Sequence, residues 1–140
     1  MSTEHKLILH DEEICIYDYD MECLQDGRWL RDTILYFQIR VFERKYSDLF
    51  KNHYFKIFYP QVAQILQSYP FEMAKQALPH DDIKKYKLIF FPLSDFNPAT
   101  QSATHWSLLY IDNRNGDMQL KHFDSRDQTN RAVGQRLAKL

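Results

Sequence analysis

Apolar side chains recur at helical spacing in one long stretch of the chain. Leu30, Ile34 and Val41 each lie three or four positions from another apolar residue of this stretch. This spacing predicts an amphipathic helix over residues 30–46. The first dozen residues are mostly polar and predict a loose N-terminus. Ile14–Tyr19 alternates weakly between apolar and polar residues, which predicts a short strand or a turn.

Proline and cap residues mark three further helices. Proline is favoured in the first turn of a helix, so one helix is predicted from Pro60 and another over 70–78. A last helix is predicted over 127–140, and Ser125 or Asp127 is a suitable N-cap for it.

The pattern of a sheet lies between these helices. The apolar run Tyr86–Leu93 predicts a buried strand. Thr104–Ile111 and Met118–Phe123 predict a hairpin, because Asn115-Gly116 between them is typical of a two-residue turn with positive φ at both residues. Since helices precede the strands and a helix follows them, the predicted fold class is α+β.

Composition and charge narrow the possible functions. The chain has 140 residues and a net charge of -1, so we expect one domain over 1–140 and no nucleic-acid partner. The longest purely apolar run has six residues, whereas a membrane-spanning helix needs about 20, so no membrane partner is expected. Cys15 and Cys23 predict reduced thiols in a cytoplasmic or nuclear protein.

No cofactor or metal is expected. The chain has no CxxC pair, which argues against a zinc finger, and it has no glycine-rich phosphate loop. His80-Asp81-Asp82 is the one metal candidate, but consecutive residues rarely converge on one ion, so we interpret it as a polar loop.

The register of the hairpin brings two ionisable side chains together. If the loop is Asn115-Gly116, Ser107 lies opposite Asp124, and His105 becomes a diagonal neighbour of Asp124 on the same face. Such a carboxylate can orient the imidazole through Nδ1–H, so that His105 acts as a general base. A structural hydrogen bond would use the same geometry, and His122 shares this face, so spacing alone does not choose between the histidines.

Three sequence blocks resemble the ubiquitin-like-protein proteases of the sentrin-specific protease family. They are Trp29–Asp32 (WLRD) before a helix, Thr104–Leu109 (THWSLL) and His122–Ser125 (HFDS), in the order of the family. The resemblance covers about residues 14–140, with 1–13 outside it, and is closest to the deneddylating member. It implies the N-terminal part of a papain-like, adenovirus-protease-like fold, with helices packed on a mixed sheet around a central hairpin.

The resemblance also implies residue roles. His105 would be the general base and acid of a Cys–His–Asp triad, and Asp124 would orient it. Trp29 and Trp106 would form the walls of a tunnel over the C-terminal Gly-Gly of a ubiquitin-like modifier, and Asp32 would pair with an arginine of that modifier. From the residues alone, core packing explains both tryptophans, and a favourable helix dipole interaction explains Asp32. The loop 95–103 would lie beside the substrate channel.

The chain departs from the family pattern at the nucleophile. No cysteine follows Asp124, and neither Cys15 nor Cys23 has a recognisable activating neighbour. We therefore expect this chain alone to be inactive as a protease. Two interpretations stay open: the N-terminal portion of a truncated deneddylase-like protease domain, or a catalytically dead module that binds a Nedd-type modifier, or SUMO as second choice, and its conjugates.

Overall fold

The chain folds as two units, and each is described by itself. The computed structural model describes residues 4–78, 83–97, 99–100, 102–126 and 128–140. One unit ends at Lys45, and the other extends from Tyr46 to Leu140. Within these ranges, no helix is both long enough and apolar enough to cross a bilayer.

The first unit begins with a hairpin that the sequence analysis missed. Strand β1 (Leu7–Asp11) pairs antiparallel with β2 (Ile14–Tyr17), and Glu12 makes the turn with a φ of 54°. The prediction of a loose N-terminus is therefore wrong for the described residues of this stretch. The apolar residues of β1 remain largely exposed. Buried and exposed positions therefore do not alternate along this strand, and the sequence lacks the pattern that predicts one.

Two helices complete the first unit. Helix α1 (Asp18–Met21) follows β2, and α2 (Asp32–Lys45) confirms the long predicted helix with a slightly later start. The side chain of Asp32 accepts the N–H of Thr33 at 3.0 Å, as a carboxylate in the first turn commonly does. Ile34 of α2 shares a small core with Ile14 and Ile16 of β2 and with Cys23, which lies in a short 3-10 helix, Glu22–Leu24.

A four-stranded mixed sheet forms the centre of the second unit. In chain order, the helices and strands of this unit are α3 (Ser47–Lys51), β3 (Phe55–Ile57), α4 (Pro60–Ser68), α5 (Phe71–Ala77), β4 (Leu88–Ser94), β5 (Trp106–Asp112), β6 (Gln119–Phe123) and α6 (Arg131–Leu137). The strand order is β3-β4-β5-β6, with β3 parallel to β4 and the other pairs antiparallel. The predicted strands and the helix from Pro60 are confirmed, and α3 and β3 were not predicted.

One face of the sheet carries the core. Side chains alternate along a strand, so Ile89, Phe91 and Leu93 of β4 point to the same side and are buried. Leu109 and Ile111 of β5 join them. Helix residues cover this face: Ala63, Leu66, Ala74, Leu78 and Leu137.

The β5–β6 hairpin has the predicted register but a different turn. Leu108 pairs with Phe123 and Asp112 pairs with Gln119, which is the alignment that places Ser107 opposite Asp124. Pairing stops at Asp112, so the loop is longer than two residues. Of the predicted turn pair only Gly116 has a positive φ, at 78°, and its N–H bonds to the Asn113 carbonyl at 3.3 Å.

Helix α6 begins later than predicted. Its N-cap is Asn130, whose side chain does not cap the helix, so the predicted cap at Ser125 is wrong. The other candidate, Asp127, lies outside the described residues. Gln128 has a φ of 59°, and this left-handed residue separates the end of the hairpin from the helix.

Gly134→Ala is expected to raise the free energy of unfolding by about 0.5–1 kcal/mol, because glycine inside a helix is costly relative to alanine. A methyl group there would lie 3.4 Å from His122 Cγ, which is an ordinary contact distance. Urea unfolding measures the change, and Gln135→Ala on the exposed neighbouring position is the control. A fall in stability would show that the His122 ring cannot accommodate the methyl group.

Candidate active site

His105 and Asp124 meet at one end of the β5–β6 hairpin. His105 immediately precedes β5, and Asp124 immediately follows β6. His105 Nε2 lies 2.5 Å from Asp124 Oδ1, and the two side chains are 7% and 2% exposed. The structure therefore joins the pair as the diagonal register predicted, and shields it almost completely from water.

The ring nitrogen that faces the carboxylate differs from the one expected. The predicted contact is through Nδ1, whereas in the structure it is through Nε2. Because an ionised carboxylate can only accept a hydrogen bond, Nε2 must carry the proton. Nδ1 is then the ring nitrogen that could accept a proton from a nucleophile.

Backbone donors hold the carboxylate of Asp124 in its ionised form. Its Oδ1 accepts the N–H of Arg126 at 3.0 Å, and its Oδ2 accepts the N–H of Asn130 at 2.9 Å. Burial raises the pKa of Asp124, but these N–H groups and the His105 ring outweigh that effect and lower it to about 2. The carboxylate thus orients His105 and also accepts the backbone N–H of Asn130, the N-cap residue of α6.

Asp95 binds the backbone next to His105, a role that the sequence pattern does not indicate. Its Oδ1 accepts the N–H of Thr104 at 2.6 Å and that of His105 at 2.9 Å. Its Oδ2 accepts the hydroxyl of Thr104 at 2.5 Å. An acidic residue directly after a predicted buried strand was the available signal, but such a residue usually faces solvent.

The structure distinguishes the two histidines of the hairpin face. His122 Nε2 lies 2.9 Å from Ser107 Oγ, whereas His105 contacts Asp124. His122 therefore has a neutral hydroxyl as the partner of this nitrogen and lacks the carboxylate contact. His105 is the better general base candidate, because its ring has a fixed tautomer.

The two tryptophans and Asp32 are in different units. Trp106 is the first residue of β5 and is half-buried, directly after His105 in the chain. Trp29 is 59% exposed, so the interpretation as a core residue is wrong for it. Asp32 begins α2, also in the first unit. The binding roles of all three stay predictions.

The cysteines lie in the first unit. Cys15 is half-buried on β2, where it pairs with His10 of β1. Cys23 is buried in the small core with Ile34.

Among the residues that the structure describes, no three His, Cys, Asp or Glu side chains are placed to hold an ion. The candidate His80-Asp81-Asp82 lies outside the described residues.

A cavity of about 450 Å³ between β6 and α6 is lined by Leu109, Lys121, His122, Asp124 and Arg131 among others.

A solved structure shows what kind of known protein this chain is similar to. The effector protein XopD of Xanthomonas campestris, bound to ubiquitin, matches 94% of this chain with 25% sequence identity and a TM-score of 0.60. The chain spans 63% of the length of that solved chain. No protein-family model matches the chain, and no curated protein matches it either.

This similarity confirms the predicted fold class. The chain has an α+β architecture in which helices pack on a mixed sheet with a central hairpin, as in the papain-like cysteine proteases. It also supports, at the level of the family, the resemblance to the ubiquitin-like-protein proteases that the three sequence blocks indicated.

Proposed function

We propose that this chain carries the histidine and the aspartate of a deneddylase-like cysteine protease. The substrate would be a Nedd-type modifier, as precursor or conjugate, cleaved after its C-terminal Gly-Gly. The nucleophilic cysteine would come from outside this chain. The buried contact between His105 and Asp124, at 2.5 Å, is the observation that carries the proposal.

The geometry of this pair suits acid–base catalysis. Asp124 holds the Nε2–H of His105 and would stabilise the imidazolium once the ring gains a proton. A thiol beside Nδ1 would transfer its proton to the ring and attack the carbonyl carbon of the second glycine. The ring would then donate this proton to the leaving amine, and the modifier would remain bound to the cysteine as a thioester. His105 would next take a proton from water, which hydrolyses the thioester and releases the modifier with a free carboxylate, and the ring would return the proton to the thiol.

Two flat indoles would explain the choice of a Gly-Gly tail. Glycine has no Cβ, so an extended Gly-Gly backbone can pass between two aromatic rings. A residue with a side chain would clash with these rings. Trp106 follows His105 directly in the chain and begins β5. Trp29 exposes more than half of its surface, as a residue that contacts a partner should. Asp32 would bind an arginine of the modifier.

A binding module without catalysis is the second candidate function. Both cysteines of the chain lie in the first unit, one of them in its core, and none follows Asp124. A module of this kind would retain Trp29, Asp32 and Trp106 for recognition and would hold the modifier without cleaving it.

Binding to purified modifiers tests what both candidates share. Trp106→Ala is expected to weaken binding of a Nedd-type modifier by about tenfold or more, because buried tryptophans dominate interface energies. Replacing the modifier's Gly-Gly by Ala-Ala should have a similar effect. Tyr69→Ala, which truncates an exposed aromatic residue at the end of α4, is the matched control. Calorimetry gives the dissociation constants, and absence of binding to Nedd-type, SUMO and ubiquitin alike would refute both candidates.

An electrophilic probe separates protease from binding module. A Nedd-type modifier with a C-terminal electrophile is expected to leave this chain unlabelled and to label a longer product of the same gene at a cysteine after Asp124. Labelling of Cys15 or Cys23 would contradict the assignment of the nucleophile. If the chain binds the modifier and the complete gene product remains unlabelled, the binding module is the correct function.

A further inference from the structure

We propose that Asp95 is a positioning residue that fixes the backbone of His105, so that the imidazole presents Nε2 to Asp124 and Nδ1 to a nucleophile. The importance of this role for catalysis depends on the proposed function. The positioning itself depends only on the geometry of the second unit.

Asp95 is bonded to His105 in both directions. The backbone N–H of Asp95 donates to the carbonyl of His105 at 3.3 Å, and its carboxylate accepts the N–H of His105 at 2.9 Å. The same carboxylate binds the backbone and the hydroxyl of Thr104. These bonds continue the β4–β5 ladder past its last pair, Ser94 with Trp106.

The loop beyond Asp95 has its own hydrogen bonds. Asn97 N–H donates to the Ser102 carbonyl at 2.9 Å, and Asn97 Oδ1 accepts the N–H of Ala99 at 2.9 Å. Neither of these two bonds involves the carboxylate of Asp95. The three bonds of that carboxylate all go to Thr104 and His105, so its specific effect falls on the backbone that carries the imidazole.

Two carboxylates thus hold His105 from opposite ends. Asp95 fixes the main chain, and hence the direction of the Cα–Cβ bond, while Asp124 fixes the far nitrogen of the ring. A side chain fixed at both ends has little freedom to rotate, which is the condition for an efficient general base. Burial raises the pKa of Asp95, but its bonds to Thr104 and His105 lower the pKa overall, so the carboxyl is a strong acceptor at neutral pH.

Proton NMR of the His105 ring tests this role. In the ¹⁵N-labelled chain, the Nε2 proton shared with Asp124 should give a protected resonance far downfield. Asp95→Ala removes all three bonds of the carboxylate and is expected to abolish this resonance through solvent exchange. Asp95→Asn keeps an oxygen that can accept both N–H groups and should restore it. Asp117 belongs to the same hairpin, and its carboxylate accepts a hydrogen bond from the side chain of Gln119. Asp117→Ala is therefore the control and should leave the His105 resonance intact.

The outcomes separate this proposal from the proposed function. A resonance that persists in folded Asp95→Ala would overturn the positioning role, even if the chain binds a modifier. If Asp95→Ala does not fold, Asp95→Glu replaces it, because the longer side chain keeps the charge but displaces the acceptor; an unchanged resonance in that variant would likewise overturn the role. Loss of the resonance in a chain that binds no modifier would support the positioning and refute the function.

Discussion

Asp124→Ala is expected to lower the free energy of unfolding by about 2–3 kcal/mol, because a buried carboxylate with several charged hydrogen bonds is removed at once. The substitution leaves the N–H of Asn130 without its acceptor at a fully buried residue, and leaves the ring of His105 without its partner. Urea unfolding followed by tryptophan fluorescence measures the change. The downfield proton of His105 should disappear in the same variant.

Three controls assign this loss to its cause. Asp117→Ala removes an exposed aspartate of the same hairpin and should change stability by less than about 0.5 kcal/mol. His105→Ala removes one of the bonds of Asp124 and should cost less than Asp124→Ala. The double variant gives the coupling energy between the two side chains. If Asp124→Ala costs no more than Asp117→Ala, the carboxylate does not hold the start of α6.

The sequence predicts the pairing of the site because strands have a simple geometry. Once the register of the hairpin is known, alternation of side chains puts His105 and Asp124 on one face as diagonal neighbours. The register is as predicted although the turn is not, because the longer loop takes the same number of residues from each strand and keeps Ser107 opposite Asp124. The fold class follows from the order of helices and strands, which is also a property of the sequence.

The details that failed depend on contacts between distant residues. The choice of Nε2 over Nδ1 follows from the rotation of the His105 ring, which no spacing encodes. The predicted cap at Ser125 is not formed. Asp124 instead accepts the N–H of Asn130, six residues further along the chain. The role of Asp95 becomes visible only when the loop after β4 returns to Thr104. The placement of Trp29 and Asp32 against a modifier stays a prediction of the family resemblance.

Acid is expected to remove the contribution of Asp124 to stability between about pH 4 and about pH 2. The carboxyl has a pKa of about 2 in the folded chain and an ordinary value of about 3.9 in the unfolded chain. Above pH ~4 both states are ionised, so the contribution is complete. As the pH falls, the unfolded chain takes up the proton first, and the stability declines until the folded carboxyl is protonated as well.

The difference between the wild-type chain and Asp124→Asn isolates this effect. Asp95 and Asp112 also have lowered pKa values, so both proteins lose stability in acid from these groups. The gap between the two unfolding free energies should shrink by about 2 kcal/mol from pH 5 to pH 2 at constant ionic strength. A constant gap would mean that the pKa of Asp124 is not lowered. Because the carboxyl of the folded chain stays ionised until the pH approaches about 2, the downfield proton of the His105 ring should persist through most of this interval and disappear only near pH ~2. The ionised carboxylate that stabilises this unit is thus the same group that orients its general base.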